Sequence, residues 1–318
     1  MGAAASTSQE PPWTEAACDE LEHAGIPGDG SIGLGLRVRR KKWPRRFYCL
    51  YAFRDNDDDE VAALAGCQGS PFVLRLRHSF CANGLTYAVV DHHGADGTLF
   101  EHLRYAGAFS EARGALYAAE VAAALRHCHD RGVLYRALAP ESVALDALGH
   151  CLLSSFQFAT PAGRGTRSYG VPEYRCPEMV RGEPYGAEAD WWALGVLVYE
   201  LLAGHAPFLA DVRAELDAAI VHGEIRYDLG GARRLSPDAR ALVASLVRPD
   251  AAGRVAAGRD VGAAPLFVDL GLDSSTLDAR PIRDDLWLSD AASLRLITAD
   301  QALPTISCPT TLPFPKKT

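Results

Sequence analysis

All of the strand-like patterning in this chain lies before residue 92, and nearly all of the helical patterning lies after residue 110. SIGLGLRV (31–38) and RFYCLYAF (46–53) read as strands on either side of a basic turn. PFVLRLRHSF (71–80) and LTYAVVDH (85–92) form a second pair, joined at Asn83-Gly84, a dipeptide that suits a tight hairpin turn. Between the pairs, the acidic run DNDDDE (55–60) can open a short helix over EVAALAGC (60–67), because negative charge favours a helix N-terminus. Residues 110–132 carry apolar side chains at helical spacing, with Ser110 as cap. AEADWWALGVLVYELLAGH (187–205), RAELDAAIVHG (213–223) and SPDARALVASLV (236–247) continue the helical pattern. Strands first and helices later predict an α+β fold of two lobes, a small β-rich one over about 25–91 and a larger α-helical one over about 92–268. Residues 1–24 are small and polar and read as a flexible N-terminal segment. Residues 269–318, with Pro281, Pro304, Pro309, Pro313 and Pro315, read as an extended tail.

Composition removes some function classes. A net charge of −8 argues against nucleic acid as the main partner. No apolar run reaches the roughly 18 residues of a membrane span, and no apolar secretory segment stands near the N-terminus. The eight cysteines are scattered with no C-x-x-C pair, which suggests reduced thiols in an intracellular, cytoplasmic protein rather than a zinc site or a disulfide framework. MGAAAS (1–6) fits the N-myristoylation pattern, with Gly2 as the acceptor. RVRRKKWPRR (37–46) is a basic turn that would meet an anionic membrane surface, the second signal that one acyl chain needs.

The motifs come in a definite order. GDGSIG (28–33) fits G-x-G-x-x-G through Gly28, Gly30 and Gly33. A dinucleotide fold needs a helix after such glycines, and here a strand follows. Then come YRALAPES (135–142), SSFQFA (154–159), GVPEYRCPE (170–178), ADWWALGV (189–196) and Arg254 in PDAAGRV. This succession resembles the protein kinase family, and within it the AGC, cyclic-AMP-dependent branch. YRALAPES looks like Y-R-D-L-K-P-E-N, SFQFA like D-F-G-F-A, and GVPEYRCPE like G-T-P-E-Y-x-A-P-E. The resemblance runs from about residue 25 to 268.

What the resemblance implies for scaffold is retained. Asp190, Glu178 and Arg254 stand where the family anchors its large lobe, with Glu178 paired to Arg254. Leu64, Leu76, Tyr135 and Phe156 would fill the family's stacked hydrophobic spine if Glu60 is its helix glutamate; a gapless count puts Val61 there instead. What it implies for chemistry is lost. The proton-accepting aspartate is Ala137, the lysine two residues on is Ala139, and the magnesium-holding asparagine is Ser142. The D-F-G aspartate is Ser155, and Tyr51 stands at the third-strand lysine. Phosphoryl transfer is catalysed by positioning and charge stabilisation. An alanine cannot accept a proton, a serine hydroxyl is a poor magnesium ligand, and a tyrosine with a reference pKa near ~10 brings no positive charge. Asp130 and Asp146 are near in sequence but at no catalytic position.

Three readings therefore stand side by side. The first is a catalytically impaired, kinase-like protein, a pseudokinase that binds partners and needs no cofactor. The second is an active Ser/Thr kinase using ATP and magnesium. The third is a nucleotide-sensing switch, opposed by Gly35 and Ala144 at the adenine site. The resemblance also implies a peptide site. Glu141, Glu173 and Glu200 match glutamates that face substrate arginines, which predicts binding of arginine-rich peptides, although the branch's further arginine-reading glutamate is Thr98 here. At the activation segment the usual phosphothreonine is Arg167, flanked by Thr166 and Ser168.

Overall fold

The computed structural model describes residues 21–25, 36–41, 43–54, 58–82, 85–91, 97–146, 149–161, 165–227 and 235–272. Gly2, Gly28, Gly30, Gly33, Gly35, the Asn83-Gly84 turn and the five tail prolines lie outside these residues.

Strands β1 (Leu21–Gly25), β2 (Leu36–Arg40) and β3 (Trp43–Arg54) lead to helix α1 (Asp58–Gly66), and β4 (Leu76–Ala82) and β5 (Leu85–Asp91) follow. They form one antiparallel sheet in the order β1-β2-β3-β5-β4. Its two faces bury different sets of side chains, as strand alternation requires. Leu21, Val38, Tyr48, Leu50 and Val89 cluster on one face. Cys49, Tyr51 and Val90 join the main core on the other, with Leu64 of α1.

Two expectations about this region need correcting. Residues 21–24 are not a free N-terminal segment; they belong to β1, held by the burial of Leu21 against Val38 and Tyr48. LEHAG carries little strand propensity, so packing decides its state and not local preference. The second correction concerns PFVLRLRHSF, where β4 starts only at Leu76. The residues before it turn to a later strand, with Leu74 N donating to Leu153 O at 3.0 Å.

The second region holds α2 (Leu99–Ala106), α3 (Glu111–Asp130), β6 (Val133–Leu134), β7 (Val143–Leu145), β8 (Cys151–Leu153) and β9 (Thr160–Pro161). Helices α4 (Pro177–Arg181), α5 (Glu188–Ala203), α6 (Arg213–His222), α7 (Pro237–Leu246), α8 (Ala251–Arg259) and α9 (Pro265–Val268) complete it. Ser110 stands at the N-cap of α3, but its side chain makes no capping bond. Its carbonyl accepts Gly114 N at 2.9 Å instead. Ser236 does cap α7, accepting Ala239 N at 3.1 Å.

Helix α5 is the axis of the region. It buries thirteen of its sixteen residues, so it has no solvent face and must be surrounded on all sides. Gly195 permits that close packing, since a Cβ there would come within 2.6 Å of Val247 Cγ2. Trp192 stacks on Phe208 at 5.8 Å between ring centroids, and Arg254 lies over its ring at 5.5 Å. Arg254 is wholly buried and paired with Glu178 of α4 at 2.5 Å.

Candidate functional site

The loop from Tyr135 to Ser142 hangs from one carboxylate. Asp190, 1% exposed near the start of α5, accepts Tyr135 N at 2.9 Å and Arg136 N at 2.6 Å. His129 Nε2 lies 2.7 Å from the same group. These bonds hold Arg136 at φ +66°, a left-handed conformation that a non-glycine residue adopts only under constraint. Next in the chain is Ala137, whose Cα lies 3.4 Å from where a Cβ on Gly170 would be. A methyl group faces the 165–178 segment here, where the family resemblance implies a carboxylate.

That segment is tied to the loop by aromatic rings. The Arg136 guanidinium lies over the Tyr169 ring at 4.6 Å, and its Nε donates to Phe158 O at 2.5 Å. Tyr169 also packs against Phe158, 5.0 Å between centroids. Tyr185 OH donates to Arg167 O at 2.6 Å, and Tyr185 and Gly165 exchange two backbone bonds of 2.9 Å. Arg136 thus has partners that do not depend on a phosphate, while Thr166, Arg167 and Ser168 are exposed. Sequence reasoning missed Tyr169 and Tyr185. An arginine and a tyrosine 33 positions apart give no local signal that they will stack.

The positions at which the resemblance implies magnesium ligands do not fit a magnesium ion. The Ser142 hydroxyl donates to Ala139 O at 2.9 Å and accepts Ala139 N at 3.0 Å, so it closes its own turn. The Ser142 carbonyl is taken by Tyr135 OH at 3.1 Å and Ser154 Oγ at 3.0 Å. Ser155 is buried and neutral. Magnesium demands hard, usually anionic oxygens, and neither hydroxyl is one. Asp146 offers no substitute, since its Oδ1 accepts His150 N at 2.9 Å in the turn between β7 and β8.

Tyr51 and Glu60 both line a narrow cleft between β3, α1 and the 154–156 segment. Ser154 and Phe156 form its other wall, and most of its lining is apolar. Burial, and then the neighbouring Cys49 thiol, push the Tyr51 phenol far above its ordinary range, so it stays neutral. Leu64 sits one turn after Glu60 in α1, and both line this cleft. Tyr135 and Phe156 meet edge to face at 5.3 Å, and Leu76 packs against the same core at partial burial. Val61 lines the cleft beside Glu60, so both candidates for the helix position point into it.

Three carboxylates come within electrostatic range from three elements. Glu141 sits in the Pro140–Ser142 turn, Glu173 in the Pro172–Tyr174 turn and Glu200 in α5. Burial raises the Glu141 pKa, and the charge of Glu173 adds to it. Burial also raises Glu200, against the hydrogen bond from Tyr174 OH at 2.6 Å, and the charges of Glu141 and Glu173 add to the rise. Glu200 therefore has a structural partner, while Glu141 is half-buried rather than merely solvated. Thr98 opens α2, its N–H donating to Glu101 Oε2 at 2.6 Å.

Residues 48–263 match the family described as Protein kinase domain. Protein kinase 2 of Dictyostelium discoideum is 31% identical over 277 residues, covering 83% of this chain and 56% of that protein. A probable cAMP-dependent protein kinase catalytic subunit of Encephalitozoon cuniculi is 32% identical over 247 residues, 74% of this chain and 75% of that one. RAC-beta serine/threonine-protein kinase A of Xenopus laevis is 31% identical over 253 residues, 76% of this chain and 51% of that protein. The chain spans about half the length of several of the curated relatives it matches.

Proposed function

The chain belongs to the protein kinase family, with relatives of the AGC Ser/Thr type, and on that premise we propose that it is a pseudokinase that works by holding a partner. One observation carries the reading. Asp190 still holds the 135–142 loop in its strained form, yet the residue placed by that strain is Ala137. Loss of a general base alone lowers a rate by roughly 10²–10⁴-fold. Neutral groups at Ser142, Ser155 and Tyr51 remove the metal site and the phosphate cation as well. Such losses are not additive, but each group acts on the same transition state. No phosphate incorporation above background is expected with a basic Ser/Thr peptide, labelled ATP, and magnesium or manganese. Turnover that disappears on mutation of Gly30 would establish the active-kinase reading instead.

The partner that fits best is an arginine-rich peptide. Glu141, Glu173 and Glu200 form a partly buried acidic cluster that includes the 135–142 loop, and an arginine–carboxylate contact is charge-assisted and often bidentate. The affinity should depend on pH in a definite direction. Glu141 and Glu200 hold their protons to a higher pH than ordinary carboxylates, which titrate near ~4.3. As the pH falls through these raised values the pair loses its charge, so peptide binding weakens before ordinary surface carboxylates are protonated. The effect on stability runs the other way. The folded chain holds these protons more tightly than the unfolded chain, so ionising the pair on raising the pH reduces stability. Fluorescence anisotropy of a labelled paired-arginine peptide across pH 4–8 reads the binding curve. Binding unchanged in the Glu141→Ala, Glu173→Ala, Glu200→Ala triple variant would move the contact elsewhere.

A further inference from the structure

The turn that follows α1 is fastened to the end of α3, which is distant in sequence. His127 Nε2 donates to Cys67 O at 2.9 Å, with Gln68 O as a longer second acceptor at 3.3 Å. Its Nδ1 is then the accepting nitrogen, and it takes an N–H of Arg131 Nη1 at 3.1 Å. The backbones also come close. A Cβ on Gly66 would stand 3.9 Å from Val133 Cγ2, and one on Gly69 would stand 3.8 Å from Arg131 Nη2. Cys67 lies between Gly66 and Gly69 in sequence, and Cys128 lies between His127 and Arg131. Their thiols meet within this contact, hydrogen-bonded to each other. Neither has exposed surface, but Gly66, Gly69 and Arg131 around them are exposed.

A buried thiol standing alone is inert, because burial disfavours the thiolate that does the chemistry. Cys49, Cys151 and Cys176 follow that rule. Burial pushes Cys49 up to about 11, Cys176 up to about 12, and Cys151 well above its ordinary value. The Cys67–Cys128 pair divides the proton instead. The hydrogen bond from Cys128, helped by the Arg131 charge, holds Cys67 below its ordinary value against the effect of burial. The same bond, with burial, holds the proton on Cys128. A nucleophilic sulfur and a second sulfur to resolve it are thus already in contact, the arrangement that redox-sensitive cysteines need.

We propose that Cys67 and Cys128 form a redox-modification site, converted by hydrogen peroxide into a disulfide that staples the end of α1 to α3. The Cys67 thiolate attacks one peroxide oxygen, the O–O bond breaks, and the leaving hydroxide takes up a proton to become water. Cys67 is then a sulfenic acid. The Cys128 sulfur gives up its proton and attacks the Cys67 sulfur; the S–O bond breaks and a second water leaves. Two thiols lose two electrons between them, and one peroxide becomes two waters. Thiol–disulfide exchange with a reduced dithiol reverses the step. Because Glu60, Val61 and Leu64 of α1 line the cleft, the staple fixes that wall to α3. The inference stands on the thiol pair and is independent of the pseudokinase reading.

The test uses the full chain, reduced, freed of reductant and treated with hydrogen peroxide under native conditions, with disulfides mapped by peptide mass spectrometry. The expected product is a Cys67–Cys128 cross-link that dithiothreitol removes. Closing so long a loop should raise the melting temperature by about 5–10 °C over the reduced chain. In urea the preference for this pair should disappear. Cys128→Ser should leave Cys67 as a sulfenic acid that dimedone traps, whereas Cys67→Ser should leave Cys128 unlabelled. Cys81→Ser, at an exposed thiol, should not change the yield of cross-link. Where a substitution at the buried pair prevents folding, the wild-type map under native conditions decides. The inference is overturned if both thiols stay reduced while Cys81 is oxidised, if Cys67 pairs with another cysteine, or if the pair forms equally well in urea. A cross-link that lowers the melting temperature overturns the staple, since the bond would then strain the contact it is meant to fasten.

Discussion

Replacing Glu178 by alanine is expected to lower stability by about 3–5 kcal/mol, because it leaves Arg254 charged and buried without its carboxylate. Arg254 has no exposed surface, and its Nη2 lies 2.5 Å from Glu178 Oε2. Its remaining contacts are the carbonyls of Arg248 at 2.6 Å and Glu188 at 3.2 Å, and the Trp192 ring. These satisfy N–H groups but do not neutralise the charge. In a domain of this size each kcal/mol moves the melting temperature by roughly 2–4 °C, so a fall on the order of 10 °C is expected. Replacing both partners with apolar residues should recover part of the loss, since the buried charge goes with the pair. A Glu178→Ala variant that melts within 2 °C of wild type would show that the pair does not brace α4 against α8.

The same pair sets an acid limb of stability. Burial raises the Glu178 pKa, but the hydrogen bond and charge of Arg254 outweigh it and hold the group below its ordinary value. A carboxylate depressed in the folded state stabilises the fold above its unfolded pKa, and the contribution is lost as pH falls through the folded value. The loss therefore develops below about pH 4.3, the reference value for a glutamate. Glu178→Ala should flatten this part of the stability curve while leaving the neutral region parallel to wild type.

The order of elements was legible because long periodic segments carry their own signal. The apolar run of α5 announces a helix surrounded on all sides, and the short apolar run of β5 after Asn83-Gly84 announces a strand. β1 was not legible, because five residues of mixed character become a strand only when Leu21 meets Val38 and Tyr48. The start of β4 was misplaced for a similar reason, since Leu74 is claimed by Leu153 some eighty residues later. At the candidate site, the residue types at Ala137, Ser142, Ser155 and Tyr51 were readable directly from the motifs that bracket them. Their new partners were not. The hydroxyl of Ser142 closing on Ala139 depends on the exact geometry of the turn, and the Tyr169 ring under Arg136 depends on a contact between distant segments.

Asp190→Ala is expected to release the 135–142 loop, with a net stability loss of about 2–4 kcal/mol. Two effects of separate origin combine. Tyr135 N and Arg136 N would each lose their acceptor in a buried setting, at about 1–3 kcal/mol per orphaned group. Arg136 would no longer be compelled to stay at φ +66°, and relaxing it recovers part of the roughly 1–3 kcal/mol that such strain costs. The net result is a loop that moves rather than a loop that is merely weaker. Asp190→Asn separates the two effects. It keeps the shape and one acceptor oxygen, but sets an amide N–H₂ against one of the two backbone donors. Hydrogen exchange at Tyr135 and Arg136 should rise in both variants, more in alanine than in asparagine. Because Glu141 rides on this loop, both variants should also lose arginine-peptide binding on the proposed reading. On the proposed reading, that coupling gives a physical reason for the loop to keep its anchor where Ala137 stands: the anchor would position Glu141 for a partner. Faster exchange with peptide affinity unchanged would mean that the anchored loop serves folding alone.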